Sequence, residues 1–406
     1  MLLYDEMLKK APESLKRPVT WQTAGTKALG KLVIGCGVAR TAGEEARRLG
    51  EPRALLVTDS TLSSLHVVDV IVEALESSGV NVDVFSQVEA EPRIELAGEA
   101  GEMARRHQYG TVVALGGGSV IDTAKAAAML ATNPGEIFEY ISGKGFEGPG
   151  LPRIAIPTTS GTGSEVSNSF VFSREGRKVF SADALLFPDV ALIDPIMTST
   201  MPPRVTAGTG LDALCHAVEG LVHPKAYPIG DALSCKAIEF VFNYLPRATR
   251  DGSDIEARYH MSWASSLGMM SYNWTGGLYA HSISYVLTHH LGMGHGMGCG
   301  ISLPYTLMLN IDYIREKLVY MGRALGMAGD ASNLPERAIQ RSWELLEEVN
   351  LPQSLEEAGV ERQSLRSYAE ETMEQYYRPF NPRDVGLSQV ERLLENMWEG
   401  SLKPVE

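Results

Sequence analysis

At 406 residues the chain has room for two or three domains of about 150 residues each, and 44% hydrophobic with 21% charged residues suits a globular protein with a large core. A net charge of −14 argues against nucleic acid or an anionic membrane surface as the main partner, although a small anionic ligand needs only a local positive pocket. Met1–Lys10 mixes acids and bases, no uncharged apolar run of about 18 residues exists, and Cys36, Cys215, Cys235 and Cys299 show no paired spacing. The expectation is therefore a cytoplasmic protein with reduced core thiols and no membrane partner.

Lys31–Gly35 (KLVIG) reads as a strand, followed by a helix over Arg40–Leu49. Ala54–Thr58 is a second strand, ending at Asp59; a helix over Ser63–Ser78 leads to a strand at Val80–Phe85, and Glu95–His107 is helical. Thr111–Leu115 is apolar and β-branched without alternation, which marks a buried strand. Gly116, Gly117 and Gly118 then allow a tight turn and close approach of a ligand to the backbone. Ser119 opens a helix, with Asp122 three residues on in capping-box register and Lys125 one turn further, where it can add a cation. A strand, a glycine turn and a helix N-terminus make an anion site, because free N–H groups and the helix dipole both favour negative charge. A phosphate cradle accounts for three consecutive glycines better than a bare turn does.

Strands follow at Arg153–Ile156 and Val190–Ile193, and this βαβα rhythm predicts a mainly parallel sheet covered by helices. Between them, Pro157–Glu165 (PTTSGTGSE) packs five hydroxyl side chains and two glycines into nine residues. Following a parallel strand, that loop falls where open α/β sheets bind ligands. The character changes at Asp194–Pro195. Apolar residues then recur at helical spacing over Leu211–Val222, Gly230–Tyr244, Ile255–Tyr272, Ser282–His290, Ile314–Leu325, Leu334–Val349 and Leu387–Trp398, while Pro352–Arg383 reads as surface loops and short helices. The organisation predicted is an N-terminal α/β domain over residues 1–196 and an all-α domain over 197–406.

The metal reading rests on Leu211–Glu219 (LDALCHAVE), where Asp212 and His216 are i,i+4 and face the same way from a helix. Four of the nine histidines fall between His281 and His295. One Asp with three neutral His suits Fe²⁺ or Zn²⁺ and leaves room for substrate. Spacing alone does not decide which of these histidines bind, since His289 and His290 are also within reach; His66, His107, His223 and His260 read as ordinary core or surface residues.

These motifs together resemble the iron-containing, group III alcohol dehydrogenases from about Lys31 to Asn310. GGGSVIDTAK is similar to the family's GGGSxxDxxK, Pro157–Glu165 to its PTTxGTxSE loop, FPDVALIDP to its LPxxxxxDP segment, and GTGLDALCHAVE to its metal-binding helix. The resemblance implies that the α/β domain is a Rossmann-like, dinucleotide-binding domain and the all-α domain a metal-binding one. It implies metal ligands at Asp212, His216, His281 and His295, and pyrophosphate contacts at Gly117, Gly118 and Ser119 with Asp122 in the same motif. It also implies contacts to the cofactor and its nicotinamide side at Thr158, Thr159 and Thr162, a lysine near the nicotinamide ribose at Lys178, and an acceptor for the adenosine ribose at Asp59. Unlike a GxGxxG site, where the acid follows the glycines by about 20 positions, Asp59 precedes them on another strand.

The implied protein is a metal-dependent, NAD(H)-linked alcohol dehydrogenase or aldehyde reductase. It would use Fe²⁺, with Zn²⁺ as the alternative ion, act on a small alcohol or aldehyde, and assemble as a homodimer or larger homo-oligomer. Many members carry a second histidine four residues after the third ligand; here it is Tyr285, the one candidate catalytic side chain. Hydroxyacid–oxoacid transhydrogenases, some of which also have tyrosine there, are one alternative. Dehydroquinate synthase-like lyases are a weaker one, since the motif order fits the dehydrogenases better.

Overall fold

Apolar runs without alternation become strands covered on both faces. The computed structural model describes residues 2–16, 19–22 and 30–405, and divides into two compact units, Met1–Met201 and Pro202–Glu406.

Among the described residues the first unit holds nine strands: β1 (Val19–Gln22), β2 (Lys31–Ile34), β3 (Arg53–Asp59), β4 (Asn81–Val88), β5 (Thr111–Gly116), β6 (Arg153–Pro157), β7 (Ser169–Arg174), β8 (Arg177–Ala182) and β9 (Val190–Ile193). Its helices are α1 (Leu2–Lys10), α2 (Glu13–Lys16), α3 (Ala42–Leu49), α4 (His66–Ser77), α5 (Ile94–His107), α6 (Gly118–Leu130) and the single turn α7 (Ile137–Glu139). The main sheet has the order β1-β2-β9-β6-β5-β3-β4; β1 runs antiparallel to β2, and the other six strands are parallel. Strands β5, β6 and β9 are buried along their whole length, as their unbroken apolar sequences require. The chain runs outward from β3 to β4 and then returns to place β5 on the other side of β3. That reversal makes the carboxyl ends of β3 and β5 the position where an open α/β sheet binds ligands.

Four features differ from the sequence reading. A two-stranded hairpin, β7–β8, follows the Pro157–Glu165 loop, turning through Glu175 and Gly176 at φ 52° and 77°. Positive φ at both loop residues gives the strand-matching twist of a tight hairpin. The N-terminal helix α1 is tied into the unit by Tyr4, whose hydroxyl donates to the buried Asp194 at 2.5 Å. The same carboxylate accepts backbone N–H groups from Gly37 and Ile196 at 3.0 and 3.1 Å.

The second difference concerns the start of α6. Its N-cap is Gly117, and no side chain caps it. Ser119 Oγ instead donates to the Ala90 carbonyl at 2.6 Å, while Asp122 is turned inward, accepting from Ser164 Oγ and from Val171 N at 2.9 Å. The capping box is therefore absent.

The second unit is helical: α8 (Pro203–Val222), α9 (Pro228–Arg250), α10 (Ile255–Thr275), α11 (Tyr279–Leu291), α12 (His295–Ala324), α13 (Leu334–Glu348), α14 (Leu365–Gln375) and α15 (Leu387–Glu399). Helix α8 is buried throughout Gly210–Val222 and packs against α9, α10 and α12. The third difference lies in α12, which begins at His295 and not near Ile314, so the HGMGCG stretch is helical. Its glycines sit where neighbouring helices come closest. A Cβ on Gly296 would lie 2.2 Å from the Gly208 carbonyl oxygen, one on Gly298 2.7 Å from Ser284 Oγ, and one on Gly300 2.5 Å from Leu211 Cδ1. The 352–383 stretch is also less superficial than expected, since Leu355, Val360, Leu365, Tyr368 and Ala369 all join the helical core. Among the described residues no helix is long and apolar enough to cross a membrane.

Replacing Gly296 by alanine should force α8 and α12 apart, because the added methyl meets backbone that cannot rotate away. The expected cost is about 1–3 kcal/mol, read from denaturant unfolding; unchanged stability would show that the two helices part freely.

Candidate functional site

In the first unit two motifs interlock at the carboxyl end of the sheet. Thr158 N donates to the Gly116 carbonyl at 3.0 Å, continuing the β5–β6 pairing into both turns. A Cβ on Gly117 would meet Thr159 Cγ2 at 3.2 Å, and one on Gly118 would meet Thr162 Cγ2 and Oγ1 at 2.8 and 2.9 Å. The glycines are thus needed for the threonines of the neighbouring loop. Gly117, Gly118 and Ser119 remain partly exposed at the start of α6, as do Thr159 and Thr162, whereas Thr158 is buried. Free N–H groups at that helix start suit a phosphate.

Lys125 does not add a cation to this cradle. Its ammonium is buried and donates to Ser164 Oγ, Ser167 Oγ and the Ser169 carbonyl at 2.9, 2.9 and 2.7 Å, with Asp122 Oδ1 at 3.6 Å. Burial pulls its pKa down to about 8 against the opposing pull of Asp122. Asp122 and Lys125 form a charged strut beneath the cradle that fixes the Ser164–Ser169 segment. The Asp122 carboxylate, expected from the resemblance near the cofactor, has these internal partners.

Asp59 closes β3 half-exposed at the switch point, where its Oδ1 accepts Leu62 N at 2.8 Å. Lys178 lies on β8; its ammonium pairs with Glu91 and donates to Ser173 Oγ at 3.1 Å. Ser173 N in turn donates to the Pro92 carbonyl at 2.9 Å, so the hairpin is anchored to the segment that follows β4.

In the second unit α8, α11 and α12 bring four side chains to one point. Asp212 Oδ1 lies 3.9 Å from His216 Nε2, 3.8 Å from His281 Nε2 and 3.8 Å from His295 Nε2. That oxygen and His281 Nε2 are both buried and have no hydrogen-bond partner. A buried carboxylate oxygen without a donor is costly, and a divalent cation among these atoms would satisfy it. The donor set, one carboxylate and three imidazoles, fits Fe²⁺ or Zn²⁺.

Two of the imidazoles are aimed from behind. Glu219, buried on α8, accepts His281 Nδ1 at 2.7 Å, Leu278 N at 2.7 Å and Ala280 N at 2.9 Å. Burial acts to raise the Glu219 carboxyl, but His281 and these N–H groups outweigh it and hold it below the usual carboxylate range. With Nδ1–H given to Glu219, His281 presents a bare Nε2 to the centre. Ser284 does the same for His295: its hydroxyl donates to the His295 carbonyl at 2.6 Å and so accepts from Nδ1 at 2.9 Å. Burial pushes the His216 pKa down, which keeps that ring neutral.

Around this centre, Tyr272 packs edge-on to His216 with centroids 4.7 Å apart, and Tyr285 stacks on His295 at 5.0 Å with an interplanar angle of 11°. Burial pushes the Tyr285 phenol up. The sequence reading missed Glu219 and Cys299. Cys299 Sγ lies 3.6 Å from His295 Nε2, one turn along α12. Glu219 sits within the motif that flagged His216; Cys299 joins the site only once His295 is known to begin a helix. His289 and His290 do not join it; they face Glu371 on α14.

Comparison with known proteins agrees with both halves. The family model described as iron-containing alcohol dehydrogenase matches residues 30–195, and that of the Fe-containing alcohol dehydrogenase family, C-terminal, matches 206–398. The chain is 35% identical to choline dehydrogenase of Bacillus subtilis (strain 168), over 86% of this chain and 89% of that one. It is also 35% identical to long-chain-alcohol dehydrogenase 1 of Geobacillus thermodenitrificans (strain NG80-2), over 84% and 88%. The crystal structure of sulfoacetaldehyde reductase from Bifidobacterium kashiwanohense in complex with NAD⁺ superposes with a TM-score of 0.82 at 27% identity, covering 93% of this chain and 98% of that one.

Glu219→Gln should weaken metal retention about 10–100-fold, the usual cost of losing a partner that orients a ligating histidine. Metal analysis after dialysis against a chelator measures it; wild-type retention would make Glu219 a packing group only.

Proposed function

The chain belongs to the iron-containing alcohol dehydrogenase family, and on that premise we propose that it moves hydride between NAD(H) and a small alcohol or aldehyde, with Asp212, His216, His281 and His295 holding Fe²⁺. The observation that carries this reading is the convergence of three imidazole nitrogens on one unpartnered carboxylate oxygen. Such a donor set has little use in packing. A bound Fe²⁺, or Zn²⁺ in its place, supplies Lewis acidity toward the substrate oxygen, and the hydride chemistry belongs to the nicotinamide.

The chain's own residues position the reactants. Gly117, Gly118 and Ser119 offer backbone N–H groups to the pyrophosphate, with Thr158, Thr159 and Thr162 beside them and Lys178 toward the nicotinamide ribose. Asp59 accepts the adenosine ribose hydroxyls and repels a 2′-phosphate, which makes NAD(H) the preferred cofactor. Tyr285 holds the substrate by a hydrogen bond. With its pKa raised by burial, the phenol stays protonated at neutral pH and donates; it is a poor base there. Tyrosine at this position also favours one second reading, a transhydrogenase that keeps its nicotinamide bound; bulk reduction of added NAD⁺ with an alcohol excludes it.

Asp59→Gly should relax cofactor preference mainly by lowering the KM for NADP(H), as steady-state kinetics with both cofactors will show. Equal use of NADPH and NADH by the wild type would overturn the Asp59 assignment. His216→Ala and His295→Ala should each abolish turnover and release the metal while NADH binding, read by fluorescence, stays nearly intact; retained metal would refute this ligand set. Tyr285→Phe should raise substrate KM and leave the pH profile unshifted, and a change in thermal stability alone would make the residue structural.

A further inference from the structure

On the outer end of α11, His289 Nδ1 lies 3.1 Å from Glu371 Oε1 and His290 Nε2 lies 2.6 Å from Glu371 Oε2. These donor atoms all fall within 4.8 Å of one another. Consecutive residues point about 100° apart on a helix, so two adjacent histidines do not ordinarily converge. They do so here because one offers its near nitrogen and the other its far one, on either side of a carboxylate from α14. The His290 ring is held by stacking on Tyr368, with centroids 4.6 Å apart and an interplanar angle of 22°. Both histidines are exposed, which leaves further coordination positions to water.

We propose that His289, His290 and Glu371 form a second, outer site for a divalent transition ion of the zinc class, which clasps α14 to α11. Two neutral imidazoles and one carboxylate are borderline donors suited to Zn²⁺. A tetrahedral ion with ligands at about 2.0–2.1 Å needs donor pairs roughly 3.4 Å apart, a small adjustment from the distances present. The site is distinct from the inner centre: His289 lies two turns beyond His281, about 12 Å along the helix at 1.5 Å per residue. The clasp also bears on the inner side of α11. The chain leaving α14 carries Tyr376, which packs on Tyr285 at 5.2 Å, and Arg378, whose Nε donates to Ser282 Oγ at 2.7 Å.

The test is equilibrium dialysis of the metal-loaded enzyme against micromolar Zn²⁺, comparing wild type with the His289→Ala/His290→Ala double variant and with Glu371→Gln. Circular dichroism checks that each variant keeps its fold. Wild type should take up one more Zn²⁺ per chain than the double variant, with Glu371→Gln at least about tenfold weaker. Amide exchange across Leu365–Gln375 should slow on zinc addition in wild type alone. Equal zinc uptake by all three proteins would overturn the site, and zinc uptake without slowed exchange would overturn the clasp. Either result leaves the assignment of the inner centre untouched.

Discussion

The helical unit depends on how closely α12 approaches α8 and α11. Gly296 and Gly300, one turn apart, face the Gly208–Leu211 stretch of α8, and Gly298 faces Ser284 of α11. Without side chains between them, the helices come near enough for residues at the start of α12 and the middle of α8 to share one small volume. His295 and Asp212 are brought together by that spacing, and Ser284 reaches His295 across the same contact. The glycines contribute no donor atom, yet the convergence of the donors follows from them.

Charge is handled differently in the two units. The helical centre gathers one carboxylate among three imidazoles, with a second carboxylate, Glu219, behind His281 and held ionised by the N–H groups it accepts. The α/β unit instead buries an ion pair, Asp122 with Lys125, and surrounds it with hydroxyl and backbone partners. A buried pair of this kind adds little net stability but fixes one arrangement, since losing either partner strands the other charge.

The parallel sheet was legible because its central strands β5, β6 and β9 are buried on both faces and read as unbroken apolar runs, so local sequence and tertiary setting agree. The Asp212–His216 pair was legible for the same reason: helical spacing alone puts both on one face. Three things were hidden. Glycine is a poor helix former, so HGMGCG did not read as helix; only the contact with α8 explains it. The β7–β8 hairpin turns at Glu-Gly, which lacks the Asn or Asp that usually marks such a turn. The inward orientation of Asp122 and Lys125 depends on Ser164, Ser167 and Ser169, about 40 residues on; Ser164 belongs to the PTTSGTGSE loop, but nothing local in that loop shows which buried groups its hydroxyl meets.

The wedge of Thr159 and Thr162 against Gly117 and Gly118 divides the carboxyl end of the sheet into two parts with different freedom to vary. Within the wedge, any side chain larger than hydrogen on one loop demands a smaller one on the other, so the two loops must change together. The tip of β3 lies outside that constraint, linked locally through Leu62. On the proposed assignment of Asp59 to the adenosine ribose and of the glycine turn to the pyrophosphate, redesign at one is therefore separable from redesign at the other. A lineage exploring new dinucleotides on this scaffold would accumulate its substitutions at the strand tip while the interlocked loops stayed fixed.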